Sequence, residues 1–241
     1  MISHFNFFQF CFSVCFGFFS GIAINFLRIR IPEAIIYNDK ILLAELLGKK
    51  VKNNIRKFKF FDRFWHKSTS LYMGFLFALI AILFFLYFHF STKTLILFVL
   101  LSALVLLALI DFFNGYLPDV ITMPLMWLGL FIQLSPSLRT VGLESSVIGI
   151  FTGYLSLLLI NLIYFLFKKR SGVGYGDIKL MAMLGAWYGP YPLPSILFLA
   201  SILGLIWHLK DLDFSKIKSS SSFPFGPYIV FVSVFYLITM K

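Results

Sequence analysis

Leu95-Ile-Leu-Phe-Val-Leu-Leu-Ser-Ala-Leu-Val-Leu-Leu-Ala-Leu-Ile-Asp111 is an uncharged apolar run that ends on a carboxylate. Nearly every residue in it belongs in hydrocarbon, and about 20 such residues cross a bilayer core of about 30 Å. An ionisable group at membrane depth is costly and marks a functional site by default. The plainer reading is a carboxylate that marks the helix end at the interface. Its sign weakens that reading, because helix C-termini favour cations over anions.

The rest of the chain agrees with a membrane setting. Of its 241 residues, 60% are hydrophobic and 13% are charged, against about 25% charged in ordinary soluble domains. Disorder needs the opposite balance. The net charge of +11 does not point to nucleic acid, because the cations border apolar runs and form no groove-sized stripe. The chain has two cysteines, Cys11 and Cys15. They lie in one apolar run and supply neither a disulfide framework nor a four-cysteine zinc site.

The expected fold is all-α, a polytopic membrane bundle of about eight transmembrane helices. Charge-free stretches place spans at Met1–Leu27, Ser68–Thr92, Thr94–Ile110, Val120–Leu138, Ser145–Phe167 and Phe223–Met240. The first has no basic start and no small-residue cleavage site, so it reads as a retained span. Leu180–Leu209 is too long for one upright span, and Gly189, Pro190, Pro192 and Pro194 fall in its middle. Proline removes a helix donor. The stretch therefore reads as a short helix, a turn near Gly189–Pro194 and a second helix.

Lysine and arginine set the orientation. Eleven of the 21 cations lie from Arg28 to Lys67; further groups are Lys168, Lys169, Arg170 and Lys179, then Lys210, Lys216 and Lys218. With the N-terminus outside, these 18 are cytoplasmic and only Lys93, Arg139 and Lys241 are external. Three regions are expected: residues 1–32, a basic cytoplasmic loop at 33–67, and a main domain at 68–241. Within the loop, Ile41 to Gly48 suits a short amphipathic helix. Phe58, Phe60, Phe61, Phe64 and Trp65 alternate with cations, a composition suited to anionic membrane lipid. Ser219–Ser222 reads as a short tether.

Of the ten acidic residues, seven fit solvated loops, leaving Asp111, Asp119 and Asp177. Asp177 lies in Ser171-Gly-Val-Gly-Tyr-Gly-Asp-Ile-Lys179, where glycines permit turns and close approaches. Asp177 can cap the helix that follows. That helix carries Ala182, Gly185, Ala186 and Gly189, small residues that let membrane helices pack closely. If the helices bearing Asp111 and Asp177 pack together, their carboxyls share a site and titrate as a coupled pair. One ionised and one protonated carboxyl provide a base for water and an acid for a leaving amine. The four histidines, His4, His66, His89 and His208, are too scattered in sequence to suggest a serine–histidine–aspartate site.

These segments resemble the type IV prepilin peptidases, membrane aspartyl proteases with a G-x-G-D motif. Ala108-Leu-Ile-Asp-Phe-Phe-Asn-Gly-Tyr-Leu-Pro-Asp119 resembles the family's first aspartate segment, and Gly172 to Trp187 resembles the G-x-G-D segment. Phe223-Pro-Phe-Gly-Pro-Tyr228 resembles a late turn of the family. Gly21 to Pro32 resembles its N-terminal segment through Asn25, Arg30 and Pro32. The resemblance implies that Asp111 and Asp177 are the catalytic pair, with Asp119, Gly174, Gly176 and Lys179 as supporting motif residues. It implies removal of the leader peptide from type IV prepilins or type II secretion pseudopilins, in the bacterial inner membrane and facing the cytoplasm. No cofactor is implied for the peptidase. Many members also methylate the new N-terminus with S-adenosylmethionine, and Asn25, Arg30 and Pro32 would belong to that activity. Many of these carry two C-x-x-C pairs in the first cytoplasmic loop. This loop has no cysteine, so zinc is not expected and methyl transfer stays open. Two other readings compete: a transporter or channel using Asp111 and Asp177 as an ion or proton site, and a non-catalytic subunit of a pilus or secretion assembly.

Overall fold

The computed structural model describes residues 6–46, 67–170, 172–209 and 224–239. Among these, eight α-helices occur: α1 (Phe7–Leu46), α2 (Lys67–Phe88), α3 (Thr92–Asn114), α4 (Asp119–Ile132), α5 (Leu143–Lys168), α6 (Tyr175–Tyr188), α7 (Leu193–Leu209) and α8 (Gly226–Thr239). The fold is all-α and polytopic, as the apolar runs predict. α1, α2, α3 and α5 are each long and apolar enough to cross a membrane. α4, α6 and α8 have 14 residues each, about 21 Å at the α-helical rise, and so are shorter than the hydrocarbon core.

The chain forms two compact units that divide within α3, one ending at Ser102 and the other beginning at Ala103. In the first, α1 packs on α2. Gly17 and Gly21 of α1 face α2, and Gly74 of α2 faces α1. A Cβ at Gly17 would lie 2.6 Å from that of Ala81, and one at Gly74 would lie 2.8 Å from the Phe18 ring. Small residues four apart allow this approach. The Phe85 and Phe98 rings meet in a tilted contact with centroids 5.5 Å apart, and both are fully buried.

α1 does not stop where the charges begin. The first span was expected to end at Leu27, whereas the helix continues through Pro32 to Leu46. Proline costs one backbone hydrogen bond and crowds the preceding turn. The helix formers that follow, Glu33, Ala34 and then Leu42 to Leu46, are enough to carry it past. The expected amphipathic segment thus begins as the end of α1. Its stop at Gly48, the aromatic–cation stretch at 58–65, His66 and the Ser219–Ser222 tether lie outside the described residues.

In the second unit α6 is the central element. Every residue from Leu180 to Tyr188 is buried, with α5 and α4 packed along it. Gly149 and Gly153 of α5 meet Gly185 and Met181 of α6 backbone to backbone. A Cβ added at Gly149, Gly153 or Gly185 would come within 3 Å of the opposing backbone. The small residues expected on α6 therefore have matching glycines on α5. Trp187 is fully buried, packs on Gly129 of α4 and donates through Nε1 to the Leu125 carbonyl at 2.9 Å.

The expected break between two helices is present. α6 ends at Tyr188, Gly189 takes φ +72°, and α7 starts at Leu193. Pro194 falls in the first turn of α7, where a missing donor costs nothing. The break leaves the last carbonyls of α6 without helical partners, and side chains take their place. Ser146 donates to the Ala186 carbonyl at 2.7 Å, and Thr140 donates to that of Trp187 at 2.8 Å. Gln133 accepts from the Thr140 and Val141 N–H groups. This also explains why α4 ends at Ile132 instead of running to Leu138: Gln133 ties the chain into a turn.

Candidate active site

Asp111 is not the last residue of its helix. α3 runs on to Asn114, and Gly115, at φ +70°, closes it by donating to the Asp111 carbonyl at 2.7 Å. The Asp111 side chain thus occupies the final turn and is only 4% exposed. It is buried, which the interface-marker reading does not allow. After the turn, Tyr116-Leu-Pro118 leads into α4, and Leu117 folds under the site with 7% exposure.

Asp177 arrives from the glycine-rich segment. Capping was the plainer expectation for it, and the structure differs. Gly174 is the N-cap of α6, no side chain makes a cap bond, and Asp177 is the third residue of the helix. Its N–H donates to the Gly174 carbonyl at 3.1 Å. The carboxyl is therefore not used up by the helix, and it too is buried at 8% exposure. Asp111 lies close enough to act on Asp177 electrostatically. Both carboxyls are thus buried in the same part of the second unit.

Three glycines make this closeness sterically feasible. Neither Gly174 nor Gly176 has positive φ, so close approach is what each position requires. A Cβ at Gly176 would lie 3.0 Å from the Leu117 Cβ, and one at Gly174 would lie 3.2 Å from Asp177 Oδ2. The third is Gly226, the first residue of α8. A Cβ there would stand 2.6 Å from Asp111 Oδ2 and 3.3 Å from Leu117 Cδ1. The backbone N–H of Gly226 faces the Asp111 carboxyl. It belongs to the free donors of a helix start. Asp111 Oδ2 itself is buried without a hydrogen-bond partner among the described residues. The end of α3, the start of α6 and the start of α8 thus converge around Leu117.

Asp119 and Lys179 sit apart from this centre. They form an ion pair at 2.5 Å with side chains 54% and 31% exposed, respectively. A surface pair of this kind contributes about 0–1 kcal/mol, and it ties the first turn of α4 to the second turn of α6. In the first unit, Asn25 is buried and donates to Ser70 Oγ at 2.7 Å, leaving its Oδ1 buried without a partner. Arg30 lies over the Phe26 ring, 5.5 Å from its centroid. Pro32 is the buried interior proline of α1. Among the described residues no group of three or more His, Cys, Asp or Glu side chains is arranged to hold a metal.

Sequence reading did not single out Asn161. It is buried in α5, and its Oδ1 accepts hydrogen bonds from the N–H groups of Gly172 and Val173, at 2.9 and 3.1 Å. A lone amide in the apolar run Leu157 to Phe167 was the available signal. Gly226 was quoted within a motif, but its contact with Asp111 is not visible in the local sequence.

Residues 98–209 match the model of the type IV leader peptidase family. The chain is 44% identical over 126 residues to the prepilin leader peptidase/N-methyltransferase of Dichelobacter nodosus, covering 52% of this chain and 42% of that protein. It is 39% identical over 143 residues to the protein of the same name from Pectobacterium carotovorum subsp. carotovorum, covering 58% and 50%. The corresponding Neisseria gonorrhoeae protein is 40% identical over 129 residues, covering 54% and 43%. The chain thus matches about half the length of these curated relatives or somewhat less. No solved structure matches it. The resemblance read from the motifs is borne out over the segment that holds Asp111, Asp119 and Asp177.

Proposed function

We propose, from the leader-peptidase match over residues 98–209, that this chain is a membrane aspartyl endopeptidase. It removes the leader from type IV prepilins or type II secretion pseudopilins. The observation that carries the reading is the burial of Asp111 and Asp177 together where α3, α6 and α8 converge. Two carboxylates in one buried site hold a proton between them. The ionised member takes a proton from water as its oxygen attacks the scissile carbonyl. The protonated member gives its proton to the departing amine. The peptide C–N bond breaks and water supplies the new acid and amine, so no nucleophilic side chain or cofactor is consumed. The Gly226 N–H stabilises whichever state places negative charge on Asp111.

Hydrolysis takes place at the cytoplasmic face of the bacterial inner membrane, with the N-terminus outside, consistent with 18 of 21 cations falling on one side. Membrane lipid is the remaining partner. Methyl transfer from S-adenosylmethionine, to which the resemblance would assign Asn25, Arg30 and Pro32, stays a separate question, and the Arg28–Lys67 stretch contains no thiol to hold zinc.

Co-expression with a prepilin tests the reading. The expected result is a mature pilin shortened by its leader, and mass spectrometry of its N-terminus reads methylation in the same sample. A prepilin that keeps its leader beside well-expressed enzyme overturns the assignment. Orientation is checked with reporters: one fused after Ser220 reads cytoplasmic, and one inserted at Pro192 reads external. Cytoplasmic signals from both would overturn the topology.

A further inference from the structure

Asn161 is seven residues from the end of α5, so its Cα lies about 10 Å inside that end along the helix axis. A primary amide at that depth is unfavourable unless its groups are paired. Its Oδ1 is paired twice, to the consecutive N–H groups of Gly172 and Val173. The chain reaches this point because α5 closes on Lys169 in the left-handed region, at φ 55°, and turns back. Gly172 then lies against Tyr164, where a Cβ would stand 2.6 Å from the ring. Glycine at 172 admits the approach, and Asn161 holds what approaches.

We propose that Asn161 is a positioning residue for Asp177. One carbonyl oxygen gripping two successive N–H groups fixes both peptide planes. Only Gly174, Tyr175 and Gly176 separate Val173 from Asp177. That interval is already rigid, because the Gly174 carbonyl accepts from the N–H groups of Asp177 and Ile178 at 3.1 and 3.4 Å. The height of the start of α6, and with it the Asp177 carboxyl, is thereby set from α5. The backbone contact of Gly149 and Gly153 with α6 fixes the rest of the helix but does not reach the loop. Without Asn161, the N–H groups of exposed Gly172 and half-buried Val173 would lose their fixed acceptor, and the loop would be free to shift.

The inference rests on the reading of Asp177 as catalytic, and its test separates the two. The full chain in lipid nanodiscs is compared as wild type, Asn161→Leu and Asn161→Asp. Leucine keeps the volume without an acceptor, and aspartate keeps an acceptor at the same reach. Hydrogen exchange over residues 172–178 is expected to speed up about tenfold in Asn161→Leu, as lost hydrogen bonds of about 1.4 kcal/mol imply. For cleavage of a prepilin, kcat per folded enzyme falls about a hundredfold, the effect of a misplacement near 1 Å, while KM stays within about twofold. Asn161→Asp restores the slow exchange and most of the rate. If Asn161→Leu does not accumulate, Asn161→Ala carries the same comparison. Unchanged exchange overturns the positioning role, whatever the activity. Faster exchange with wild-type kcat overturns the link to Asp177. A wild type that cleaves no prepilin overturns the functional reading, while exchange still judges the loop.

Discussion

Asp111→Ala and Asp177→Ala each stop leader removal, with the rate falling at least about a thousandfold, while the protein still accumulates in the membrane. Each carboxyl is buried, and the proposed mechanism gives each a separate task in proton transfer, so neither replaces the other. The double variant is hardly slower than either single one, because residues that act as a unit do not contribute additively. Asparagine in either position fails as well, since an amide neither takes a proton from water nor gives one to an amine. The measurement is prepilin turnover at matched enzyme amounts. Either alanine variant cleaving at the wild-type rate would remove the aspartyl mechanism.

Gly226→Val gives the second large effect. The added Cβ alone would stand 2.6 Å from Asp111 Oδ2, so the carboxyl or the start of α8 must shift. A displacement near 1 Å costs about a hundredfold in rate, although both aspartates remain chemically intact. Gly142→Ala is the control: a Cβ there meets nothing within 4 Å, and the variant cleaves as wild type does. Equal rates in Gly226→Val and wild type would show that α8 does not border the site. Cleavage per folded enzyme is the quantity to compare.

The helical fold and both aspartates were readable because each has a local signature. Apolar runs give helices, Gly189 and its prolines give the break, and a carboxylate closing an apolar run is conspicuous by its cost. What stayed hidden depends on neighbours distant in sequence. The contacts of Gly226 with Asp111 and of Asn161 with Gly172 join different elements, and no periodicity encodes them. The glycine seams stand between these cases. Gly17 with Gly21 and Gly149 with Gly153 have the spacing of close-packed membrane helices, although only the small residues of α6 were read from the sequence as a packing face. The extent of α1 was misjudged for another reason. Charge and Pro32 are signals of hydrophobicity and of one lost bond, and a helix can carry both.

The short helices of the second unit bear on where a peptide bond can be met. α6 and α8 span about 21 Å each, while α5, with 26 residues, spans about 39 Å. A bilayer that covers α5 must thin beside its short neighbours or admit water there. The proposed hydrolysis would need that water, and hydrocarbon of full thickness would withhold it. On the same proposal, a lipid-anchored substrate would meet the site without being drawn out of lipid. Each methylene kept in place avoids a transfer cost of about 0.8 kcal/mol. Hydrophobic mismatch, usually a burden on a membrane protein, would on the proposed function bring solvent and a lipid-anchored chain to the same depth.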